Sequence, residues 1–114
     1  MVNRRYRKGY RFEHRVKRYL EKLGYKVFRL AGSKPIDLIA IGWEGGDIYY
    51  IECKTTRYTK RTGNKLMEII GERPGTPVVA YRDEYNKIKF YDPRNNKEIK
   101  IPHAKSLDKF DVKI

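Results

Sequence analysis

Hydrophobic and polar positions repeat with two different periods along this chain, and each change of period marks an element. Between residues 9 and 24, "GYRFEHRVKRYLEKLG", the apolar side chains Phe12, Val16, Tyr19, Leu20 and Leu23 recur at helical spacing. On a wheel of about 100° per residue they form one stripe, which predicts a helix closed by Gly24. Beyond it the period falls to two. "YKVFRL" (25–30), "IDLIAI" (36–41) and "DIYYIECK" (47–54) predict strands, with "AGSKP" (31–35) as a loop and "GWEGG" (42–46) as a turn. "TTRYTKRTGN" (55–64) reads as a polar, basic loop, and "KLMEIIGE" (65–72) as a short helix ended by "RPGTP". "PVVAYR" (77–82) and "KIKFYD" (87–92) read as strands, and the tail has room for one more short strand. Helix, three strands, helix, strands is the order of an α/β domain whose central mixed sheet carries helices on both faces.

The pairing of 36–41 with 47–54 has a chemical consequence. A hairpin centred between Glu44 and Gly45 pairs residues whose numbers sum to 89, which sets Asp37 across from Glu52. Directly opposed carboxylates repel one another and weaken the pairing. A shared divalent cation removes that penalty, and two carboxylates with retained waters suit Mg²⁺. Strand alternation puts Lys54 on the same face as Glu52, while Tyr49, Ile51 and Cys53 look the other way. Two readings stay open. The pair is an exposed one on a wet strand end, worth about 1 kcal/mol or less, or it works in a cleft beside a metal. Asp37 alone could merely begin a strand after Pro35. Glu13 lies at the edge of the apolar stripe of the first helix, so it is either a solvated residue or a partly buried third carboxylate. A Lewis acid, an activated water and a fixed cation are the parts of metal-assisted phosphodiester hydrolysis.

Composition narrows the partner. The chain has 114 residues and suits one domain spanning 1–114. Lys and Arg number 27 against 14 acids, giving a net charge of +13, which favours a polyanion such as nucleic acid over a merely solvated surface. One cysteine excludes an internal disulfide framework and suits a reducing cytosol. No apolar run is long enough to span a membrane, and the basic N-terminus lacks the apolar region of a secretory signal. His14 and His103 lack ligand spacing and read as surface residues. A basic stripe of Arg11, Arg15, Arg18 and Lys22 runs along the first helix away from Glu13. It either holds a different DNA arm from the one being cut or is simply solvated.

The pattern "PID…IECK" matches the PD-(D/E)xK nuclease superfamily. Through "YRKGYRFE", "LEKLGYKVFRLAGSKPIDLIA", "YIECK" and, more weakly, "KLMEIIGERPGTPVVA", the chain resembles the archaeal Holliday junction resolvases and related viral enzymes. That resemblance implies a restriction-endonuclease-like core in a cytoplasmic homodimer that cuts opposed strands of four-way junction DNA. Mg²⁺ would be the cofactor, with Mn²⁺ able to substitute. It implies Glu13, Asp37, Glu52, Lys54 and Ser33 as catalytic residues, the three carboxylates as metal ligands, and DNA contacts from Arg5, Arg7, Lys8, Arg29, Ser33, Lys34 and Arg57. The chain departs from the pattern at His14, where relatives often carry arginine, and in a shorter loop after Lys54. Its second helix offers Leu66, Ile69 and Ile70 where relatives present aromatic residues to a dimer partner. Two other readings are another nuclease of the superfamily and a catalytically silent nucleic-acid-binding module.

Overall fold

Helix α1 (Arg4–Lys22) opens the fold in a computed structural model that describes residues 4–30, 32, 35–43 and 47–104, with side chains from residue 8 onward. It begins five residues before the expected start at residue 9. "RRYRK" is made of residues that tolerate a helix well, and Gly9 sits where a β-carbon would meet nothing within 4 Å. The helix ends as expected. Gly24 takes φ 100°, and the Tyr25 N–H bonds back to the Leu20 carbonyl at 3.1 Å. Phe12, Val16 and Leu20 are buried, whereas Tyr19 is half exposed and leans on Phe90 with ring centroids 5.8 Å apart.

Six strands follow in one sheet whose spatial order is the chain order: β1 (Lys26–Arg29), β2 (Leu38–Ile41), β3 (Ile48–Lys54), β4 (Thr76–Arg82), β5 (Ile88–Asp92) and β6 (Lys97–Ile99). Every neighbouring pair is antiparallel except β3 and β4, which are parallel and joined by helix α2 (Lys60–Ile70). α1 covers one face, where Val27, Leu38, Ala40, Tyr49, Ile51, Val78 and Ala80 close the main core beneath it. α2 covers the other face, with Leu66 and Ile70 packed on Val79 and flanked by Ile36, Tyr50 and Tyr58. The expected mixed sheet with helices on both faces is therefore the observed one. Ile101 and Ala104 return to the main core after β6, and the Ala104 N–H bonds to the Leu23 carbonyl at 2.8 Å.

The start of α2 corrects the sequence reading, which placed 55–64 in a loop. Thr59 is extended and its hydroxyl accepts from the Thr62 N–H at 3.3 Å, a side-chain cap that starts the helix at Lys60. Gly63 lies inside the helix because nothing larger fits there: a β-carbon would come within 2.7 Å of Pro93 Cβ and collide with the Tyr58 ring. The helix stops at Gly71, φ 59°, whose N–H returns to the Met67 carbonyl. Of the three residues offered for a dimer contact, Leu66 and Ile70 are spent on the core, and only Ile69 is exposed.

Candidate active site

β3 is a central strand, and its alternation sorts the chemistry. Tyr49, Ile51 and Cys53 pack on the α1 side, while Tyr50 meets the α2 cluster. Glu52 and Lys54 open into a cleft of 660 Å³ beneath α2, lined also by Pro35, Arg61, Thr62, Lys65 and Glu68. Glu52 is only 6% exposed. Lys54 Nζ stands 3.5 Å from its Oε2. With the lysine side chain 41% exposed, such a pair contributes about 1 kcal/mol or less. Burying a carboxylate among apolar strands costs more than that. The arrangement is thus not a device for stability, and Glu52 is buried at a cleft and not exposed on a wet strand end.

The β2–β3 ladder runs from Leu38↔Ile51 to Ile41↔Ile48, the register expected from the sequence. Asp37 lies one residue before its end, is 4% exposed, and departs from the ladder in a useful way. Its N–H donates to the Ile51 carbonyl at 2.8 Å, and its carbonyl accepts from the Leu30 N–H at 2.8 Å. Its carboxylate Oδ2 accepts from the Cys53 N–H at 2.8 Å. A ladder continued regularly would have offered the Ile36 carbonyl to that N–H. The Asp37 carboxylate takes its place and is thereby fixed against the peptide that joins Glu52 to Cys53.

Glu13 reaches the same end of the sheet from the α1 side. Arg29 pairs with Leu38, next to the Leu30–Asp37 contact, and its Nε donates to Glu13 Oε1 at 3.1 Å. The Arg29 guanidinium also lies 4.8 Å from the centre of the Tyr10 ring. Glu13, expected as a metal ligand, and Arg29, expected as a DNA contact, are thus brought together as an ion pair. Among the described residues no three His, Cys, Asp or Glu side chains are gathered as a metal would need, so Glu13 does not join Asp37 and Glu52 in a three-carboxylate group. The physical reason is that α1 lies across the sheet from the cleft.

The remaining candidates separate. Lys8 is exposed and lines a shallow groove with Arg11, Arg15 and Arg82. Arg57 is exposed beyond β3, in another groove with Arg82 and the β4–β5 turn. Ser33, Lys34 and the side chains of Arg5 and Arg7 lie outside the described residues, as does the tail from 105. Arg61 was not expected in the cleft because a helix begun at 65 excludes it, and Lys65 and Glu68 were on that helix without any local signal of the face turned to the cleft. The signal was there in Thr59 and Thr62, a capping hydroxyl three residues before its partner.

Buried carboxylates on adjacent strands, a lysine two residues on, and helices on both faces of a mixed sheet define an α/β domain of the nuclease-like class. The chain belongs to the archaeal Holliday junction resolvase family, whose model matches residues 4–109. It is similar to the crossover junction endodeoxyribonuclease Hjc of Methanocaldococcus jannaschii, with 43% identity over 81 residues. That match takes in 64% of this chain and 59% of the relative, so the chain spans less than two thirds of that curated protein. In fold it is similar to Archaeoglobus fulgidus Hjc, a Holliday junction resolvase from an archaeal hyperthermophile. The TM-score is 0.61 at 20% identity, covering 90% of this chain and 94% of that one.

Proposed function

We propose that this chain is a structure-selective DNA endonuclease that resolves four-way junctions by Mg²⁺-dependent phosphodiester hydrolysis, working as one nuclease domain within a homodimer. The observation that carries the reading is the fixing of the Asp37 carboxylate to the Cys53 N–H, beside the buried Glu52 and its Lys54 partner. Family membership supports the substrate.

The donor set fits a hard divalent cation: two buried carboxylates from adjacent strands supply oxygen ligands without nitrogen or sulfur. Asp37 and Glu52 would hold it, and when bound it would supply a Lewis acid for the scissile phosphate and lower the pKa of water. The chain's own residues do the rest. The hydrogen bond from Cys53 keeps the Asp37 side chain in one rotamer. Lys54 brings a compact positive charge next to Glu52, placed to offset charge developing on a phosphate. Arg61 and Lys65, one helical turn apart on α2, present two more cations to the backbone of a strand lying in the cleft. Glu13 acts through Arg29, which it holds at the Asp37 end of the sheet. Ser33, Lys34, Arg5, Arg7, Lys8 and Arg57 are proposed as DNA contacts on the family resemblance.

A dimer is supported by exposed apolar side chains on the α2 side of β1 and β2, where Phe28 is 47% and Ile41 39% exposed. Among the described residues no helix is long and apolar enough to cross a membrane, and a place in the cytoplasm on DNA is proposed on the family resemblance. The test is a labelled synthetic four-way junction incubated with Mg²⁺ and with EDTA, alongside linear duplex of the same arm sequence. Paired nicks in the junction with Mg²⁺ alone are expected. Equal cutting of the duplex would move the assignment to another kind of nuclease, and binding without cutting would make it a silent module.

A further inference from the structure

We propose that the outer flank of α1 is a second phosphate-backbone surface, which holds a duplex arm other than the one in the cleft. The inference deepens the junction reading and rests on it for the identity of the polyanion. Arg11, Arg15, Arg18 and Lys22 recur at i, i+4, i+7 and i+11 and line one continuous groove, with Tyr10 and Tyr19 among its walls. Arg11, Arg18 and Lys22 are exposed. Arg15 is fixed: its guanidinium donates to the Asn86 side-chain oxygen at 3.0 Å and to the Asn86 carbonyl. Asn86 can present both acceptors because it turns the β4–β5 hairpin with φ 63°.

Charge makes this flank more than a solvated face. α1 carries two acids, and both are engaged away from the stripe, Glu13 by Arg29 and Glu21 by Lys17. The groove lining itself contains no carboxylate among the described residues. Three like-charged pairs at helical i,i+3 and i,i+4 spacing repel one another and weaken the helix. A row of cations kept against that repulsion is what a polyanion would stabilise. At 1.5 Å per residue, Arg11 to Lys22 spans about 16 Å, which is about five base pairs along a duplex. The side chains that face the sheet from this helix, Phe12, Val16 and Leu20, pack on the face opposite the cleft. The groove also takes in Ile88 of β5, so a phosphate chain in it is separated from one in the cleft by the sheet. Four arms leaving one crossover supply two such segments; a single straight duplex does not.

The test is the triple variant R11Q/R18Q/K22Q with a synthetic four-way junction in EDTA, read by anisotropy across a salt series. Three lost phosphate contacts make the slope of log affinity against log salt shallower by about 2.7, and weaken binding at about 0.1 M salt by at least tenfold. Single-turnover cutting with Mg²⁺ at saturating protein stays within about twofold of the unmodified chain. Backbone footprinting loses protection on an arm that carries no cut, while protection at the cut site persists. An unchanged slope overturns the proposal, and so does loss of protection at the cut site instead. Should the triple variant fail to fold, Arg18→Gln and Lys22→Gln singly are each expected to lower the slope by about 0.9, and no change in either overturns it. A chain that binds junctions but never cuts them refutes the endonuclease reading, yet a shallower slope in the variant still upholds the groove.

Discussion

Asp37→Asn separates the chemistry of the site from its architecture. In the folded chain Asp37 Oδ2 accepts the Cys53 N–H at 2.8 Å, a charge-assisted bond at a position 4% exposed. Asparagine keeps an oxygen of the same shape, so the bond survives as a neutral one. A bond to a charged group contributes about 1.5–3 kcal/mol and a neutral one about 1 kcal/mol, so the loss is on the order of 1 kcal/mol. For a domain of this size that lowers the melting temperature by about 4 °C. Asp37→Ala leaves the Cys53 N–H unsatisfied and opens a void, and should cost on the order of 2–4 kcal/mol. The activity moves on another scale. Removing one preorganised charge from a hydrolytic site costs roughly 10²–10³ in rate, or about 3–4 kcal/mol at 1.36 kcal/mol per decade. Junction affinity should hold or tighten slightly, because one negative charge near the DNA has gone. The assay pairs thermal melting with binding in EDTA and single-turnover cutting in Mg²⁺. Asparagine that loses binding and cutting together would make Asp37 structural, and asparagine that still cuts at the original rate would remove it from the site.

Lys54→Met should lower cutting by about 10² and destabilise the fold by about 1–3 kcal/mol, because the lysine is partly exposed but the Glu52 carboxylate it leaves is buried; single-turnover rates and a melting curve read both. Gly63→Ala, which ordinarily strengthens a helix, should instead destabilise the fold by about 1–3 kcal/mol, because the new methyl meets Tyr58 and Pro93; denaturant titration checks the sign. Burial raises the phenols of Tyr25, Tyr49, Tyr58 and Tyr81 above their usual value of 10.0. The folded chain then keeps protons that the unfolded chain sheds. The stabilisation is complete below about pH 10 and is lost as pH rises further, so the denaturant midpoint should be level up to there and fall beyond.

What could be read from the sequence was whatever depends on neighbours along the chain. The apolar stripe Phe12–Val16–Leu20 and the register that sets Asp37 near Glu52 are of this kind, since a short turn leaves few ways to pair two strands. The start of α2 was not legible because Gly63 looks like a loop residue until Pro93, thirty positions away, is seen against it. The partner of Glu13 was hidden for the same reason: Arg29 arrives from a different element, and a wheel shows only where a side chain leaves its own helix. The place of Arg61 in the cleft lining was lost with the misplaced helix start. The detour of Asp37 from the ladder hands the Cys53 N–H to a side chain in place of a carbonyl, a swap that no pattern of residue types encodes.

The single parallel contact, β3 on β4, has a kinetic meaning. Either side of it the strands are joined by short connections and can meander into place independently, an N-terminal half ending at Lys54 and a C-terminal half beginning at Thr76. Joining them requires closing the long α2 crossover, the most entropically demanding step in assembling the sheet. The two acids come from the first half, whereas the roof of the cleft is held down on Val79 of the second. Nascent chains would thus carry the two acids in an unroofed, solvent-washed strand until that seam zips shut, which withholds the proposed cutting centre from any molecule that has not finished folding.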